Sequence, residues 1–226
     1  FHNPTGTCLS DEGKARLVEL IHQFRIPLIE DDVYGELFFG KQRTRPCKTF
    51  DREGWVLYCG SFSKSLAPGY RIGYCVPGRF WEAVKLQKRV SSLSTSTLPQ
   101  LAMAKFLEKG RYAAHLRRLR LALHTQMMRY TQWIDQYFPS ETYFHIPEGG
   151  MVLWLQFPAS FDSYQFFLAA REAGIGIVPG TVFSAKGLFR NCVRMSFTNP
   201  ADEKVQAGIK KLGEIATKLL KESGRV

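Results

Sequence analysis

Residues 55–64 read Trp55-Val56-Leu57-Tyr58-Cys59-Gly60-Ser61-Phe62-Ser63-Lys64, an apolar run that becomes polar after the glycine. Short continuous apolar runs are typical of strands buried inside parallel sheets. Residues that follow such a strand lie at the carboxyl edge of the sheet, where open α/β folds bind their ligands. The stretch therefore predicts an α/β fold and places a lysine at a ligand-binding edge.

Lys64 is a candidate nucleophile. Partial desolvation and the nearby Arg71 would both favour the neutral amine that Schiff-base chemistry requires. Ser61, Ser63 and Arg71 could hold a phosphate, because the guanidinium fork presents paired donors. For an isolated Ser-x-Ser-Lys, a surface lysine in a polar loop is the alternative.

A second apolar strand, which Pro27 opens, runs into the acids Glu30, Asp31 and Asp32. A carboxylate at this edge of the sheet can keep a pyridine nitrogen protonated. Asp31 and Tyr34 are three residues apart, so the carboxylate could reach a ring nitrogen while the phenol reaches the far side of the ring. A metal site, a helix cap and a solvated loop are the alternatives for such a group of acids.

Two further segments carry candidate residues. Asn3-Pro4-Thr5-Gly6 predicts a turn that presents the asparagine amide. Arg194 lies inside the apolar run Asn191-Cys192-Val193-Arg194-Met195-Ser196-Phe197. Charged residues inside strands are seldom buried without a partner, so Arg194 either faces solvent or meets an anion. A substrate carboxylate and a structural Asp or Glu are the two candidate anions.

Taken in order, these segments resemble the class I/II aminotransferases, which are pyridoxal-phosphate enzymes of fold-type I. Residues 28–37, 61–74 and 115–120 look most like the aminotransferase-like domain of MocR-type regulators. In those proteins a GntR-type winged helix-turn-helix precedes that domain. The resemblance covers nearly the whole chain.

The resemblance implies a role for each candidate residue. Lys64 would form the internal aldimine with pyridoxal 5'-phosphate and move the proton between the substrate carbon and the cofactor. Asp31 would pair with the pyridine nitrogen. The remaining implied roles are binding of the ring hydroxyl by Asn3 and Tyr34, of the phosphate by Ser61, Ser63 and Arg71, and of the amino-acid carboxylate by Arg194.

The expected fold class is α/β. Residues 1–109 would be the C-terminal half of a fold-type I large domain with a mainly parallel sheet, and residues 110–226 a smaller α+β domain. The family places about half of its large domain upstream of the Asn-Pro-x-Gly turn. We therefore expect that this chain lacks an N-terminal part, and that any DNA-binding module lies there.

Periodicity and turn residues predict the individual elements. Ser10 caps a helix of about 14 residues whose inward side chains are Leu17, Leu20, Ile21 and Phe24. In the last third, the predicted strands are Met151 to Phe157, Gly174 to Val178 and Val193 to Phe197, and the helices are Ser163 to Glu172 and Ala201 to Lys221.

Composition narrows the function classes. The net charge is +11, and the densest basic cluster is Arg111, Arg117, Arg118, Arg120 and Arg129. Apolar residues recur at steps of three and four on the same helical segment, which favours a solvated basic face over a phosphate-tracking surface. No apolar run approaches the roughly 18 residues of a membrane span. Five cysteines and five histidines without paired ligand spacing favour reduced thiols in a cytoplasmic protein and no metal.

The predicted function is therefore the effector domain of a GntR/MocR-type regulator that binds pyridoxal phosphate and exchanges its lysine bond with an amino acid or another amino compound. A stand-alone aminotransferase would use the same residues and is the alternative. The resemblance also implies a homodimer when the protein is full length.

Overall fold

The computed structural model describes residues 1–223, in which helices and strands alternate along the chain. The helices are α1 (Asp11–Phe24), α2 (Trp81–Ser92), α3 (Thr97–Glu108), α4 (Tyr112–Tyr137), α5 (Ser163–Glu172) and α6 (Glu203–Ser223). The strands are β1 (Leu28–Asp31), β2 (Val56–Ser61), β3 (Gly73–Val76), β4 (Tyr143–Phe144), β5 (Val152–Gln156), β6 (Val178–Pro179) and β7 (Cys192–Ser196).

The chain divides into two compact units. The first unit comprises Cys8–Arg120, and the second comprises Phe1–Thr7 together with the residues from Leu121 onward. Helix α4 contributes to both, because the division falls within it. The domain boundary that the sequence predicts, between residues 109 and 110, stays a prediction.

The first unit is built on a three-stranded sheet in the order β1-β2-β3. Strands β1 and β2 are parallel, as predicted, whereas β2 and β3 are antiparallel. The difference follows from the connection, since residues 62–72 form a loop without the crossover helix that a parallel return requires. The carboxyl ends of β1 and β2 lie side by side, because Asp31 is paired with Cys59.

Helix α1 confirms the predicted length and cap, because it spans 14 residues and Ser10 Oγ accepts a hydrogen bond from the Gly13 N–H. The residues it buries are Lys14, Val18 and Ile21. The expectation that Leu20 and Phe24 point inward is wrong, since 44% and 63% of their surfaces are exposed. The buried stripe follows steps of four and three from position 14, which leaves positions 20 and 24 on a neighbouring side of the helix.

The second unit is an α+β structure, as the sequence predicts. Its sheet has the order β4-β5-β7-β6 and is antiparallel throughout. Helix α5 has the predicted bounds, and Asp162 caps it by accepting from the N–H groups of Tyr164 and Gln165. Phe157 directly follows β5, and its buried ring stacks on the buried ring of Phe161 with centroids 4.1 Å apart.

Two further features of the fold concern its cysteines and the composition of its helices. All five cysteines are thiols; Cys47 and Cys192 are buried, and Cys8, Cys59 and Cys75 are half-buried. Within residues 1–223, no helix combines the length and the apolar composition that crossing a membrane would require.

Candidate functional site

The three acids at the end of β1 have different partners. Glu30 accepts hydrogen bonds from the backbone N–H groups of Cys47 (2.6 Å) and Lys48 (2.9 Å), so it caps the short 3-10 helix Cys47–Thr49. Asp32 is bound by the Arg43 guanidinium and by the Tyr58 hydroxyl, which donates over 2.9 Å. Two of the three acids are therefore committed to the fold.

Asp31 is the acid that remains available. Its side chain is exposed, and its Oδ1 accepts a hydrogen bond from the Val33 N–H at 3.3 Å. No ion pair involves Asp31 within the described part of the chain, which also contains no group of three His, Cys, Asp or Glu residues able to hold a metal. The helix-cap alternative is thus correct for Glu30, whereas Asp31 offers a free carboxylate at the sheet edge.

Lys64 lies on the loop that follows β2. Its Nζ is 5.8 Å from the centroid of the Tyr34 ring, which belongs to the loop after β1. The expected partial desolvation is wrong for this chain, because Lys64 is exposed. The reason is its position past the end of the sheet, in a loop whose residues 68–71 are also exposed. The amine and the phenol nevertheless come from adjacent strand ends, as the spacing predicts.

The predicted phosphate-binding residues converge on one side of this loop. Arg71 Nη1 donates to Ser63 Oγ at 3.2 Å, and the Ser63 N–H donates to Ser61 Oγ at 3.0 Å. Arg71 has a φ of 57°, a left-handed conformation at the end of the short 3-10 helix Pro68–Tyr70. Two hydroxyls and a guanidinium are donors that suit an anion.

Helix α4 anchors the lysine loop from the side. Ser65 is buried, and its hydroxyl is hydrogen-bonded to the Tyr112 hydroxyl at 2.8 Å. The Ser65 carbonyl accepts a hydrogen bond from His115 Nε2, also at 2.8 Å. Burial raises the pKa of Tyr112, so its hydroxyl stays protonated and able to donate. No local pattern in the sequence indicates this anchor, because Tyr112 and His115 lie 47 and 50 residues after Ser65 in the chain.

A second anchor holds the loop after β1. Arg120 Nε donates to the Glu36 carbonyl at 2.7 Å, and its Nη2 lies 3.1 Å from the Glu36 carboxylate. The same guanidinium lies over the Phe38 ring, 3.8 Å from its centroid. Tyr58, which donates to Asp32 between Asp31 and Tyr34, is also held in its protonated form. Burial raises the pKa of Tyr58, although the hydrogen bond from Arg43 opposes this shift. The Arg120 contacts fix the chain just after Tyr34.

Arg194 belongs to the second unit and is half-buried in β7. Its Nη1 donates to Asn3 Oδ1 at 3.0 Å, and its guanidinium lies 5.2 Å from the centroid of the Phe183 ring. Among residues 1–223 no carboxylate forms an ion pair with Arg194, so a structural Asp or Glu partner is not found there. The guanidinium keeps donors for an external anion.

The turn that presents Asn3 is confirmed. The Gly6 N–H donates to the His2 carbonyl at 2.7 Å, and Gly6 has a φ of +71°. A Cβ at Gly6 would lie 3.1 Å from Pro147 Cβ, so both conformation and space favour glycine. Because Asn3 Oδ1 accepts from Arg194, the amide NH2 group is left to donate.

The predicted site residues thus form two groups. The first unit brings together Asp31, Tyr34, Ser61, Ser63, Lys64 and Arg71 at the ends of β1 and β2. The second unit brings Asn3 to Arg194. The ligand contacts of each residue stay predictions.

Residues 1–212 match the family of class I and II aminotransferases. The chain is 39% identical over 213 residues to the HTH-type transcriptional regulator YdcR of Escherichia coli K12, covering 94% of this chain and 46% of the regulator. The chain therefore spans about half the length of the curated relatives it matches.

Solved aminotransferases share its fold. The multiple substrate aminotransferase of Thermococcus profundus superposes with a TM-score of 0.91 at 29% identity, over 98% of this chain and 55% of the enzyme. The α-aminoadipate aminotransferase LysN of Thermus thermophilus, complexed with N-(5'-phosphopyridoxyl)-L-leucine, gives 0.90 at 30% identity, over 97% of this chain and 57% of the enzyme.

Proposed function

The chain belongs to the class I and II aminotransferase family, and from this premise we propose that it is the pyridoxal-phosphate-binding effector domain of a GntR/MocR-type transcriptional regulator. The similarity to YdcR and to other HTH-type regulators supports the regulatory part of the proposal. The observation that carries the binding part is the convergence of Lys64, a free carboxylate and the Ser63–Arg71 pair at two adjacent strand ends.

The chemistry of this donor set fits pyridoxal phosphate. Ser61, Ser63 and Arg71 offer donors to a phosphate dianion, and the exposed carboxylate of Asp31 suits a protonated pyridine nitrogen. Lys64 offers an accessible amine beside the Tyr34 phenol. When bound, the cofactor supplies an aldehyde that reacts with amines and a ring that withdraws electrons from the substrate carbon.

Each residue of the first unit then has a distinct task. Arg71 and the two serines bind the phosphate and fix the position of the ring. Asp31 would hold the proton on the ring nitrogen, and Tyr34 would donate to the ring hydroxyl. Lys64 would hold the cofactor through Nζ and would also be the group that moves a proton at the substrate Cα.

In this proposal, Arg194 of the second unit binds the substrate, and Asn3 binds the cofactor ring. Arg194 binds the carboxylate of an incoming amino acid, because its guanidinium is held by Asn3, lies over the Phe183 ring and has no carboxylate partner among residues 1–223. Asn3 uses its NH2 group to donate to the ring hydroxyl. A carboxylate-bearing amine is accordingly the proposed ligand class.

Ligand exchange at Lys64 is the proposed sensing event. The loop that carries Lys64 is anchored by buried Ser65, which is hydrogen-bonded to Tyr112 and His115. Loss of the covalent bond at Lys64 would therefore act directly on an anchored part of the fold. A ligand that favours one state of this segment shifts the equilibrium of the whole regulator. DNA contacts in this proposal belong to an N-terminal winged helix, and the full-length protein is a cytoplasmic homodimer.

The test is a titration of the purified chain with pyridoxal phosphate, followed by its visible absorption, borohydride reduction and peptide mapping. We expect one visible band that saturates at one cofactor per chain, with the reduced label on Lys64. Lys64→Ala should lose both the band and the label. The matched control is Lys85→Ala on α2, another exposed lysine, which should bind normally.

Three results would count against the proposed cofactor site. Label spread over several surface lysines would show that no site selects Lys64. A saturable band that survives in Lys64→Ala would assign the covalent role to another lysine. If both the chain and a longer form that includes upstream residues fail to bind, the cofactor proposal is wrong.

A stand-alone aminotransferase is the second candidate, and the similarity to the solved aminotransferases favours it. The two functions differ in turnover with amino donors and 2-oxo acids. Repeated turnover at about 1 per second or faster would support the enzyme. A single exchange per site, without sustained product formation, is the result that the regulator proposal expects.

A further inference from the structure

Cys59 and Cys75 face each other across strands β2 and β3. They are direct partners in the antiparallel register, and their sulfur atoms are 3.9 Å apart. Directly opposed residues in antiparallel strands have Cα atoms about 4.5–5.5 Å apart, which is within the range that a disulfide spans. Joining the two sulfurs therefore requires side-chain rotation without a change of strand register.

Cys59 and Cys75 lie in the same row of the sheet as Asp31, a candidate site residue. Asp31 is paired with Cys59 in the parallel register of β1 and β2, so Asp31, Cys59 and Cys75 form one row across the sheet. Residues paired in register project from the same face, which is the less buried face of β2. Both thiols are half-buried, so a small oxidant can reach them.

The other cysteines lack such a partner geometry. Cys47 and Cys192 are only 7% and 3% exposed. Cys8 is half-buried, and its sulfur contacts Lys14 Nζ at 3.8 Å and Thr44 Oγ1 at 3.7 Å. The β2–β3 pair is therefore distinguished by both proximity and access.

We propose that Cys59 and Cys75 are a modification site that forms a reversible disulfide when a low-molecular-weight disulfide, such as oxidised glutathione, acts as the oxidant. The Cys75 thiolate attacks one sulfur of the oxidant, forming a mixed disulfide and releasing one glutathione thiolate. The Cys59 thiolate then attacks the Cys75 sulfur, forming the cross-strand bond and releasing the second. Two protein thiols are oxidised, one external disulfide is reduced, and the two thiol protons pass to solvent or to the released thiolates.

The order of attack follows from the surroundings of Cys59. Burial, the hydrogen bond to Cys75 and the charges of Cys75 and Asp31 raise the pKa of Cys59 to about 11. A thiol with so high a pKa is mostly protonated at neutral pH, which makes it a slow first nucleophile. The oxidation should accordingly become faster as the pH rises from about 7 to about 9.

The test uses the full chain without cofactor, so its failure leaves the proposed function untouched. After incubation with oxidised glutathione, free thiols are alkylated and the protein is digested with trypsin. We expect a linked pair of peptides, residues 53–64 and 72–79, lighter than their sum by two hydrogens. The free-thiol count should fall by two, and dithiothreitol should restore it.

Single substitutions decide the pairing. Cys59→Ser and Cys75→Ser should each lose the linked peptides, and Cys75→Ser should also accumulate glutathione more slowly than Cys59→Ser. Cys8→Ser is the matched control, because it removes another half-buried thiol and should keep the link. Glutathione adducts without the link in the wild-type chain, or links to Cys8 as abundant as the Cys59–Cys75 link, would overturn the proposal.

Discussion

Asp31 and Asp32, which are adjacent at the end of β1, have different roles. Asp32 is bound to Arg43 and Tyr58, whereas Asp31 is exposed and accepts a hydrogen bond from the Val33 N–H. Removing the charge of Asp32 removes the negative charge that pairs with Arg43, whereas removing the charge of Asp31 affects only the proposed ligand contact. The spacing to Tyr34 and the family resemblance select Asp31, but the structural role of Asp32 could not be predicted, because Arg43 and Tyr58 lie 11 and 26 residues away in the chain.

We predict that Asp31→Asn weakens cofactor binding about tenfold or more, since a charge-assisted hydrogen bond contributes roughly 1.5–3 kcal/mol. Its free energy of unfolding should change little. Asp32→Asn should instead lower the free energy of unfolding by about 2 kcal/mol, because Arg43 loses the negative charge that it pairs with and Tyr58 donates to a weaker acceptor. Urea unfolding and cofactor titration of both variants measure the two effects separately. The reverse pattern would mean that Asp32 is the ligand-binding acid.

Asp51 carries a pH-dependent part of the stability. Its side chain is fully buried, and it accepts hydrogen bonds from the Val56 N–H (2.9 Å), Lys48 Nζ (3.0 Å) and His22 Nε2 (3.0 Å). Burial alone would raise the pKa of Asp51, but these donors outweigh it and hold the pKa well below the ordinary value. The charged carboxylate is thus favoured in the folded chain.

A depressed folded-state pKa contributes stability that is complete above the unfolded-state pKa, about 3.9, and is lost as the pH falls below it. We therefore expect the free energy of unfolding to decline from about pH 5 downward. The free energy of unfolding of Asp51→Asn should be about 3 kcal/mol lower at pH 7 and should decline less as the pH falls. Exposed Asp135→Asn is the matched control and should follow the wild-type curve. Equal slopes for all three chains would exclude Asp51 as the source.

At the scale of elements, helix α6 contains two glycines with opposite surroundings. A Cβ at Gly213 would lie 2.2 Å from the Tyr137 carbonyl at the end of α4, whereas a Cβ at Gly208 would meet nothing within 4 Å. Alanine is favoured over glycine in a helix interior by about 1 kcal/mol. The same substitution should thus have opposite signs at the two positions.

We predict that Gly208→Ala raises the free energy of unfolding by up to about 1 kcal/mol, because it gains helix propensity without a clash. Gly213→Ala should lower it by roughly 1–3 kcal/mol, since a backbone carbonyl must move to admit the methyl group. Each variant controls for the other, because both lie in the same helix. Thermal and urea unfolding would refute the packing argument if both variants were stabilised.

Elements were more predictable than the contacts between them. The cap at Ser10, the bounds of α5 and the strand that precedes Lys64 follow local rules of capping and hydrophobic pattern. The two-residue strand β4 and the anchor of Ser65 on Tyr112 have no local signal, since they depend on residues brought together only by the fold. The exposure of Lys64 was missed for the same reason.

The whole molecule carries a net charge of +11, and its basic residues are not equivalent. Of the α4 arginines, Arg120 is held by Glu36 and Arg129 donates to the Ala201 carbonyl, whereas Arg117 and Arg118 are exposed. Two of the predicted cluster are thus partly engaged within the fold. Charge spread in this way attracts nucleic acid without reading its sequence.

We predict that the chain alone binds DNA weakly and without sequence preference, and that the binding disappears as salt rises from about 50 to about 200 mM. Replacing Arg117 and Arg118 with Gln should weaken low-salt binding no more than replacing Lys204 and Lys210, exposed lysines on α6, because only net charge matters for non-specific attraction. Gel retardation across a salt series compares the two double variants. Retention of one sequence above about 200 mM salt, lost only in the arginine variant, would identify α4 as a DNA-binding surface and contradict the assignment of DNA contacts to an N-terminal winged helix.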